Sequence, residues 1–289
     1  AGNDIKYMEE KVEAARNFSN KLWNAAKFVN MYLCDLTVDN VDNLCIEDKW
    51  ILTKLTNAKK QIISNMEKHE IGVAIQNIYD FIWSDFCDWY IEMVKPRLYN
   101  KDSKDYISAI WTLNEVLVTS LKLLHPFMPY ITEEIYQNLK TSKESIMLDT
   151  FDNENYNVKN EMQYVESTME VIKAIRNIRV EKDIKVNKKL TIKLLIEDNL
   201  IEKAFKDSEG YIKKIAALEE IKYINESNIN KEDIVVHLEG INIYFDLSNV
   251  TSKEEELNKL QSEFETYTKE LKRAEGMLAN EKFVSKAPE

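Results

Sequence analysis

Apolar residues return every three or four positions through most of this 289-residue chain. That spacing matches the turn of an α-helix and puts the apolar side chains on one buried face. The chain holds only 5 Gly and 4 Pro, so it has few turn residues, which disfavours sandwiches, barrels and Rossmann folds. The pattern is most regular in the first helix, at Ala15, Phe18, Leu22, Ala25, Val29 and Tyr32.

The periodicity predicts a bundle of antiparallel helices in residues 1–145. Connections between consecutive helices are short, which favours antiparallel neighbours. The third helix should end at Lys95-Pro96, because a proline blocks continuation. The five predicted helices cover residues 4–33, 47–67, 71–94, 103–124 and 130–139.

Residues 146–250 change pattern and predict a small α+β module with a mixed sheet. A polar linker over 141–160 precedes a helix over 161–180, and a second helix is expected over 199–216. Alternating apolar and polar residues between and after them indicate strands, and Glu239-Gly240 is a plausible hairpin turn. The predicted strands are 190–197, 220–225, 233–239 and 241–247.

Residues 251–289 predict a coiled-coil helix. Its apolar residues, called the seam below, follow a spacing of alternately three and four residues over three heptads. The predicted fold class is therefore mainly α with a small α+β module, divided into domains 1–145, 146–250 and 251–289. The seam consists of Leu257, Leu260, Phe264, Tyr267, Leu271, Ala274 and Leu278.

Composition indicates a cytoplasmic protein without a membrane span. The sequence has no run of about 18 apolar residues. Its first ten residues lack the basic and apolar regions of a signal peptide. Cys34, Cys45 and Cys87 are odd in number and form no CxxC pair, which fits a reducing compartment.

The sequence offers no recognisable catalytic or metal-binding motif. It lacks a P-loop, GxGxxG, HExxH and GxSxG. The histidines lie in separate segments, and His125, just before a proline, is expected to be a structural cap or core partner. Glu133 and Glu134 fit the first turn of a helix, where carboxylates favour the dipole. Binding is therefore a better prospect than catalysis.

The first helix also carries a polar stripe, defined as Arg16, Asn20, Asn24 and Lys27, with Asn17 and Trp23 beside it. Guanidinium and amide groups read base edges, and an aromatic ring stacks on an unpaired base. The alternative is a solvated face, or amides that bond to neighbouring helices. The chemistry of these residues alone favours that alternative.

Charge offers a second candidate surface, although the net charge of −11 does not favour a nucleic-acid partner. Residues 251–267 hold five acidic and two basic side chains, whereas residues 268–288 hold three acidic and five basic ones. The later part can meet phosphates, or its charge can serve solubility alone. Its basic residues are Lys269, Lys272, Arg273, Lys282 and Lys286.

Four segments resemble, in order, the C-terminal part of bacterial valyl-tRNA synthetases. The segment LLHPFMPYITEE is shared with the related leucine, isoleucine and methionine enzymes, whereas FCDWYIE narrows the choice. The resemblance covers the whole chain and is loosest over 150–245. The segments are RNFSNKLWNAAKFV, FIWSDFCDWYIEMVKPRL, LLHPFMPYITEEIYQ and NEKFVSKAPE.

The resemblance implies a class I synthetase whose helical bundle binds the anticodon, followed by a small junction and a coiled-coil arm at the tRNA elbow. It implies tRNA(Val) as partner and a parent enzyme, expected to be monomeric, that joins valine to tRNA using ATP and Mg²⁺. The HxGH and KMSKS signatures are missing, as are the ATP-binding and editing domains. The chain is therefore expected to be an inactive fragment with no cofactor of its own.

The resemblance also changes the interpretation of the candidate residues. It makes Arg16 and Lys27 expected RNA contacts, with Asn17, Asn20, Trp23 and Asn24 as further candidates. The basic residues after 268 become expected elbow contacts. The seam is expected to pair with a second copy of the chain or to pack back onto it. Two alternatives stay open, namely a helical scaffold without RNA and the same domain of an isoleucine-type relative.

Overall fold

A computed structural model describes residues 7–38, 41, 43–141, 143–151, 156–225, 234–246 and 253–278. The chain is mainly helical with a small mixed four-stranded sheet, which confirms the predicted fold class. It forms two compact units. One contains the described residues up to Ala174 together with Glu197–Ala216, and the other contains Ile175–Ile196 together with those from Ala217 onward. The finer predicted division at 145 and 250 stays a prediction.

The first unit is a helical bundle built around one apolar helix. That central helix, α5, runs Tyr106–Leu124 and buries fourteen of its side chains. It is long and apolar enough to cross a membrane, but 83% of its apolar window is buried inside the protein. The other helices of the unit are α1 (Glu9–Asn30), α2 (Ile46–Glu67), α3 (Ile71–Asp80), α4 (Ile91–Leu98), α6 (Pro129–Tyr136), the first part of α7 (Lys159–Glu181) and α8 (Asn199–Ala216).

The third predicted helix differs from expectation in two ways. A π-helical segment, Phe81–Tyr90, lies between α3 and α4, and the Ile91 N–H bonds to the Phe86 carbonyl five residues back. The prediction that the helix ends at Lys95-Pro96 is wrong, because Pro96 lies inside α4, which continues to Leu98. A proline removes only one backbone hydrogen bond. The buried contacts of the next residue, Arg97, hold the last turn in place.

Arg97 forms a buried ion pair with Asp48 at the start of α2. Two guanidinium nitrogens donate to the two carboxylate oxygens, each at 2.8 Å. The Tyr90 hydroxyl donates to the same carboxylate at 2.7 Å, and the Cys45 N–H donates at 3.1 Å. Asp48 is 0% exposed. Burial alone lowers the pKa of Arg97, but the adjacent carboxylate raises it on balance.

The same guanidinium also reaches α5. It donates to the Asp105 carbonyl and to the Ser108 hydroxyl, both at 2.9 Å. One buried cation therefore joins α2, the π-helical segment, α4 and the start of α5. Because its partners are paired with one another, the cost of burying each charge is offset within the cluster.

Glu47 is a second buried carboxylate next to this cluster. Its Oε1 accepts a hydrogen bond of 3.3 Å from Ser208 on α8. Burial raises the pKa of Glu47 to about 7, with Arg97 opposing that shift and Asp48 adding to it. In the folded chain this side chain therefore loses its proton only as the pH rises through about 7.

The second unit contains the sheet, in the strand order β2-β1-β4-β3. The central pair, β1 (Leu190–Ile196) and β4 (Ile241–Asp246), is antiparallel. The edge strand β2 (Leu218–Tyr223) runs parallel to β1, and the other edge, β3 (Ile234–Leu238), runs antiparallel to β4. Gly240 sits in the β3–β4 turn with φ +69°, which confirms the predicted hairpin.

Arg179 ties together the two segments that lead into β1 and β2. Near the end of α7, its guanidinium donates to the carbonyl of Lys188 at 2.9 Å and to the carbonyl of Ala217. These two residues flank β1 and β2 in the chain. The final element is the helix α9, Lys253–Leu278, which contains the predicted seam.

We expect Asp48→Asn to lower the free energy of unfolding by about 3–5 kcal/mol, because it leaves Arg97 buried without a carboxylate. Urea denaturation of the purified chain measures this. The double variant Asp48→Leu/Arg97→Met is the control, and it should be less destabilised because it removes both charges. If Asp48→Asn costs no more than about 1 kcal/mol, the pair behaves like an exposed ion pair and the assigned role is wrong.

Glu47→Gln should make the chain more stable at pH 8. Because folding raises the pKa of Glu47, the protonated side chain makes its full contribution to the free energy of unfolding below about pH 4.5. That contribution is lost as the pH rises to about 7. A shift of this size corresponds to roughly 3 kcal/mol. Denaturation at a series of pH values should show that loss in the wild type and not in Glu47→Gln. Glu67→Gln, an exposed change on the same helix, should retain it, and identical pH profiles for all three would contradict the assignment.

Candidate nucleic-acid interface

The helix α1 has a buried half and an exposed half. Its packing face consists of Phe18, Leu22, Ala25, Ala26 and Val29, all buried. Residues 7–17 are exposed throughout. The prediction that Ala15 belongs to the buried face is therefore wrong, because the first turns of α1 extend past the side chains that cover the rest of the helix.

All six candidate residues on α1 are exposed, so the structure brings the polar stripe together on one open surface. Arg16, Asn20, Asn24 and Lys27 are exposed, as are Asn17 and Trp23. The alternative in which the asparagine amides bond to neighbouring helices is not seen, since these amides have no partner within the described part of the chain. The stripe spans about 16 Å along the helix axis at 1.5 Å per residue.

Arg16 and Lys27, the charged ends of the stripe, make only weak contacts with other side chains. The Arg16 guanidinium lies 3.6 Å from the Glu13 carboxylate, and both side chains are more than half exposed. Such an exposed pair contributes about 0–1 kcal/mol and yields readily to a phosphate or a base. The Lys27 ammonium lies 5.8 Å from the centre of the Trp23 ring. An exposed ring beside a cation suits stacking on an unpaired base.

Lys21 fixes the orientation of the stripe, a role that no sequence pattern indicates. Its ammonium lies 2.6 Å from the Asp88 carboxylate and 3.7 Å from the centre of the Trp83 ring. Both partners lie in the π-helical segment. Beside them, the ring of Tyr79 stacks between those of Phe18 and Trp83, at 4.9 and 5.5 Å.

Contacts farther along show that α1 runs parallel to the helical segment from α3 to α4. Phe18 meets Tyr79, Lys21 meets Trp83, and the Lys95 ammonium lies 5.8 Å from the Phe28 ring. Burial raises the pKa of Tyr32 at the end of this line, with Tyr99 adding to the shift and Lys95 opposing it. Each contact holds the packing face of α1 inward, which leaves the polar stripe outward.

The predicted elbow residues are only partly described. Lys269, Lys272 and Arg273 are exposed on α9, and their charges have no ion-pair partner among the described side chains. Lys282 and Lys286 lie outside the described residues. The seam side chains Phe264, Tyr267 and Leu271 are 73%, 67% and 59% exposed. This apolar stripe is therefore uncovered over its described part.

Two other polar residues singled out in the sequence, His125 and Glu133, have structural partners. The prediction that Glu133 and Glu134 lie in the first turn of their helix is wrong, because α6 begins at Pro129 and its first turn holds no acidic residue. His125 Nδ1 lies 2.7 Å from the Thr132 hydroxyl, which itself donates to the Met128 carbonyl at the start of α6. Glu133 accepts hydrogen bonds from Gln137 and Ser145. In the described part of the chain, no three His, Cys, Asp or Glu side chains form a group that could hold a metal.

Residues 48–194 match the family model described as the anticodon-binding domain of tRNA ligases. The matched segment runs from the first turn of α2 into β1, and it therefore includes both Asp48 and Arg97. The helix α1 lies before it in the chain, so the match itself does not include the polar stripe.

Named relatives extend the comparison over the whole chain. The chain is 40% identical over 294 residues to a valine–tRNA ligase of Clostridium perfringens, covering 100% of this chain and 33% of that protein. It is 36% identical to the valine–tRNA ligase of Listeria innocua, again over 100% of this chain and 33% of that protein. The Fusobacterium nucleatum valine–tRNA ligase is 35% identical, over 100% of this chain and 34% of its own length. The chain thus spans about a third of the length of these relatives.

Proposed function

We propose a function from the premise that this chain belongs to the family of anticodon-binding domains of tRNA ligases and is homologous to the C-terminal region of valine–tRNA ligases. The function is binding of tRNA(Val) through the exposed face of α1. The observation that supports it is the outward polar stripe of Arg16, Asn20, Asn24 and Lys27, with Trp23 beside it.

The stripe has the chemistry that an anticodon loop requires. Its unpaired bases offer Watson–Crick edges to guanidinium and amide groups and ring faces to an aromatic side chain. Valine codons begin with G-U, so the anticodon ends in A-C, and these two bases are the targets that we assign to the stripe. In this scheme Arg16 reads a base, Lys27 contacts phosphate, and Asn17, Asn20 and Asn24 supply further hydrogen bonds.

A second contact is assigned to α9. Lys269, Lys272 and Arg273 are exposed cations on α9, and with Lys282 and Lys286 they would meet the phosphates of the tRNA elbow. Phosphate contacts position a protein on RNA without reading its sequence. Specificity for tRNA(Val) therefore depends on α1, and α9 adds affinity.

The parent protein would join L-valine to tRNA(Val) in the cytoplasm, as a monomer, with ATP and Mg²⁺. This chain is the non-catalytic, tRNA-binding domain of such an enzyme. Its own contribution is to bind and orient the tRNA. On its own it should catalyse neither aminoacylation nor exchange of pyrophosphate with ATP.

Self-association through the seam is a further property that we propose for the chain on its own. Phe264, Tyr267 and Leu271 expose large apolar side chains along one face of α9. Most of the stability of a helix in a protein comes from packing its apolar face, and pairing of two seams would cover both. Packing of α9 back onto its own chain is the alternative.

Arg16→Ala should weaken binding of tRNA(Val) by about 1–3 kcal/mol if Arg16 reads a base. Lys27→Ala should weaken binding of all tRNAs alike and lower the salt slope by about one, because it removes one phosphate contact. Filter binding at several salt concentrations measures both. Lys11→Ala is the control, since Lys11 is exposed on the same helix away from the stripe. Unchanged tRNA binding by both variants would mean that the stripe is a solvated face that does not contact RNA.

A gel-shift comparison of valine and isoleucine tRNAs at one stated salt concentration tests the specificity. We expect the valine tRNA to bind more tightly because the two anticodons differ. Tighter binding of the isoleucine tRNA would favour the isoleucine-type alternative. Absence of binding to either would favour a helical scaffold without RNA.

Sedimentation across a range of concentrations tests the self-association. The weight-average mass should rise with concentration, and Leu260→Glu/Leu271→Glu should abolish the rise without changing the melting of the bundle. A chain that stays monomeric, and whose dimensions do not shrink when residues 251–289 are removed, would instead support packing back.

A further inference from the structure

His125 and Met147 bring a nitrogen and a sulfur atom together at the surface of the helical bundle. His125 directly follows α5, and Met147 lies in a single 3₁₀ turn, Ile146–Leu148. The His125 Nε2 atom lies 3.0 Å from the Met147 Sδ atom, in hydrogen-bond geometry. Met147 is 74% exposed, so the pair is accessible from solvent.

The hydroxyl of Thr132 fixes which nitrogen of the imidazole carries the hydrogen. Thr132 is 0% exposed, and its single hydroxyl hydrogen goes to the Met128 carbonyl at 2.8 Å. The His125 Nδ1 atom lies 2.7 Å from the same hydroxyl oxygen, so we assign the ring hydrogen to Nδ1, which donates there. Because a neutral imidazole has one N–H, Nε2 then carries no hydrogen and turns a lone pair toward Met147.

This tautomer leaves the contact between His125 and Met147 without a hydrogen to share. The thioether sulfur has no hydrogen either, so two lone pairs face each other at 3.0 Å. The contact becomes favourable when one cation accepts both lone pairs. Thioether sulfur and imidazole nitrogen are both ligands that copper accepts, and thioethers select its monovalent form, whereas Mg²⁺ and Ca²⁺ prefer oxygen.

The turn that carries Met147 is held on both sides. Before it, the Met147 N–H donates to the Ser145 hydroxyl at 3.2 Å, and that hydroxyl donates to Glu133 on α6 at 3.1 Å. After it, the Asp149 carboxylate pairs with the Lys122 ammonium of α5 at 2.9 Å. The backbone of the turn is therefore fixed against α5 and α6, while the thioether projects to the surface.

We propose that His125 Nε2 and Met147 Sδ form a binding site for a soft monovalent metal ion such as Cu(I). Thr132 is the outer partner of this site, because a ligating histidine generally donates its other N–H to a fixed acceptor that orients the ring. Since methionine is unbranched and flexible, the exposed sulfur can move outward to admit the ion. The proposal does not depend on RNA binding, because none of these residues belongs to the polar stripe or to α9.

Silver(I) is the probe, because it is a soft monovalent ion that is stable in air. Nuclear magnetic resonance of the full, isotope-labelled chain follows the methionine methyl groups and the imidazole rings separately. Cys34, which is exposed, is replaced by serine in every protein so that its thiol does not compete for silver. Burial raises the pKa of the Cys45 and Cys87 thiols to about 12, which keeps them protonated near neutral pH.

We expect the Met147 methyl and His125 ring signals to shift together and to saturate at the same silver concentration. Met31 is the control for a thioether alone, because it is 70% exposed and has no imidazole contact among the described side chains. Its methyl signal should need at least about tenfold more silver, since it lacks a second ligand that raises the effective concentration. Equal responses of Met31 and Met147 would overturn the proposal.

The same spectra distinguish a metal ion from a proton at this contact. An imidazole of His125 that carries hydrogens on both nitrogens near neutral pH, and that does not respond to silver, would mean that a proton occupies the contact. That result would also overturn the proposal.

Matched variants test the two roles. Met147→Leu removes one ligand at an exposed position and should weaken silver binding at the His125 ring at least about tenfold. Thr132→Val keeps the shape of the side chain but removes the acceptor for Nδ1–H, and should weaken binding about 10- to 100-fold. Thr132→Ser keeps a hydroxyl and should bind silver like the wild type.

The other methyl signals report whether each variant is folded, and the exposed Met147→Leu keeps the test valid if Thr132→Val does not fold. Unchanged silver binding in Met147→Leu would overturn the site. Equal losses in Thr132→Val and Thr132→Ser would overturn the role of the Thr132 hydroxyl.

Discussion

The bundle depends on one buried ion pair, between Asp48 at the start of α2 and Arg97 near the end of α4. Residues distant in the chain meet there, and the guanidinium also binds the first turn of α5. A buried charge is tolerated only when its partners are in place, so this cluster forms only in the correct packing. The cluster thereby sets how α4 packs against α2. Because α3, the π-helical segment and α4 are continuous in the chain, it also sets the direction of that whole helical segment.

The segment from α3 to α4 positions the candidate interface. α1 runs parallel to it, held by the stacked rings of Phe18 and Tyr79 and by Lys21 between Asp88 and Trp83. With the packing face fixed inward, Arg16, Asn20 and Lys27 have to face outward. The asparagines of α1 are tolerated in this regular helix because they lie on its exposed side, where an amide remains solvated at little cost; they are Asn17, Asn20, Asn24 and Asn30.

Much of this was predictable from sequence because local pattern decides it. The 3.6-residue period located the helices, alternation located the strands, and Gly240 marked the hairpin. The errors occurred where tertiary contacts override local rules. Pro96 should have ended its helix, but Arg97 is anchored to Asp48. Ala15 continues an apolar pattern into turns that nothing described covers. Lys21 resembles any surface lysine until Trp83 and Asp88 come beside it.

The central claim is that the outward face of α1 binds the anticodon loop, and hydroxyl-radical footprinting of the chain with an anticodon stem-loop of tRNA(Val) tests it most directly. Trp23 is 36% exposed beside the polar stripe, and Tyr130 on α6 is 91% exposed and serves as an internal reference. The account predicts that saturating stem-loop slows the oxidation of Trp23 and leaves that of Tyr130 unchanged. Unchanged oxidation of Trp23 in the bound state, or protection of Tyr130 instead, would contradict it.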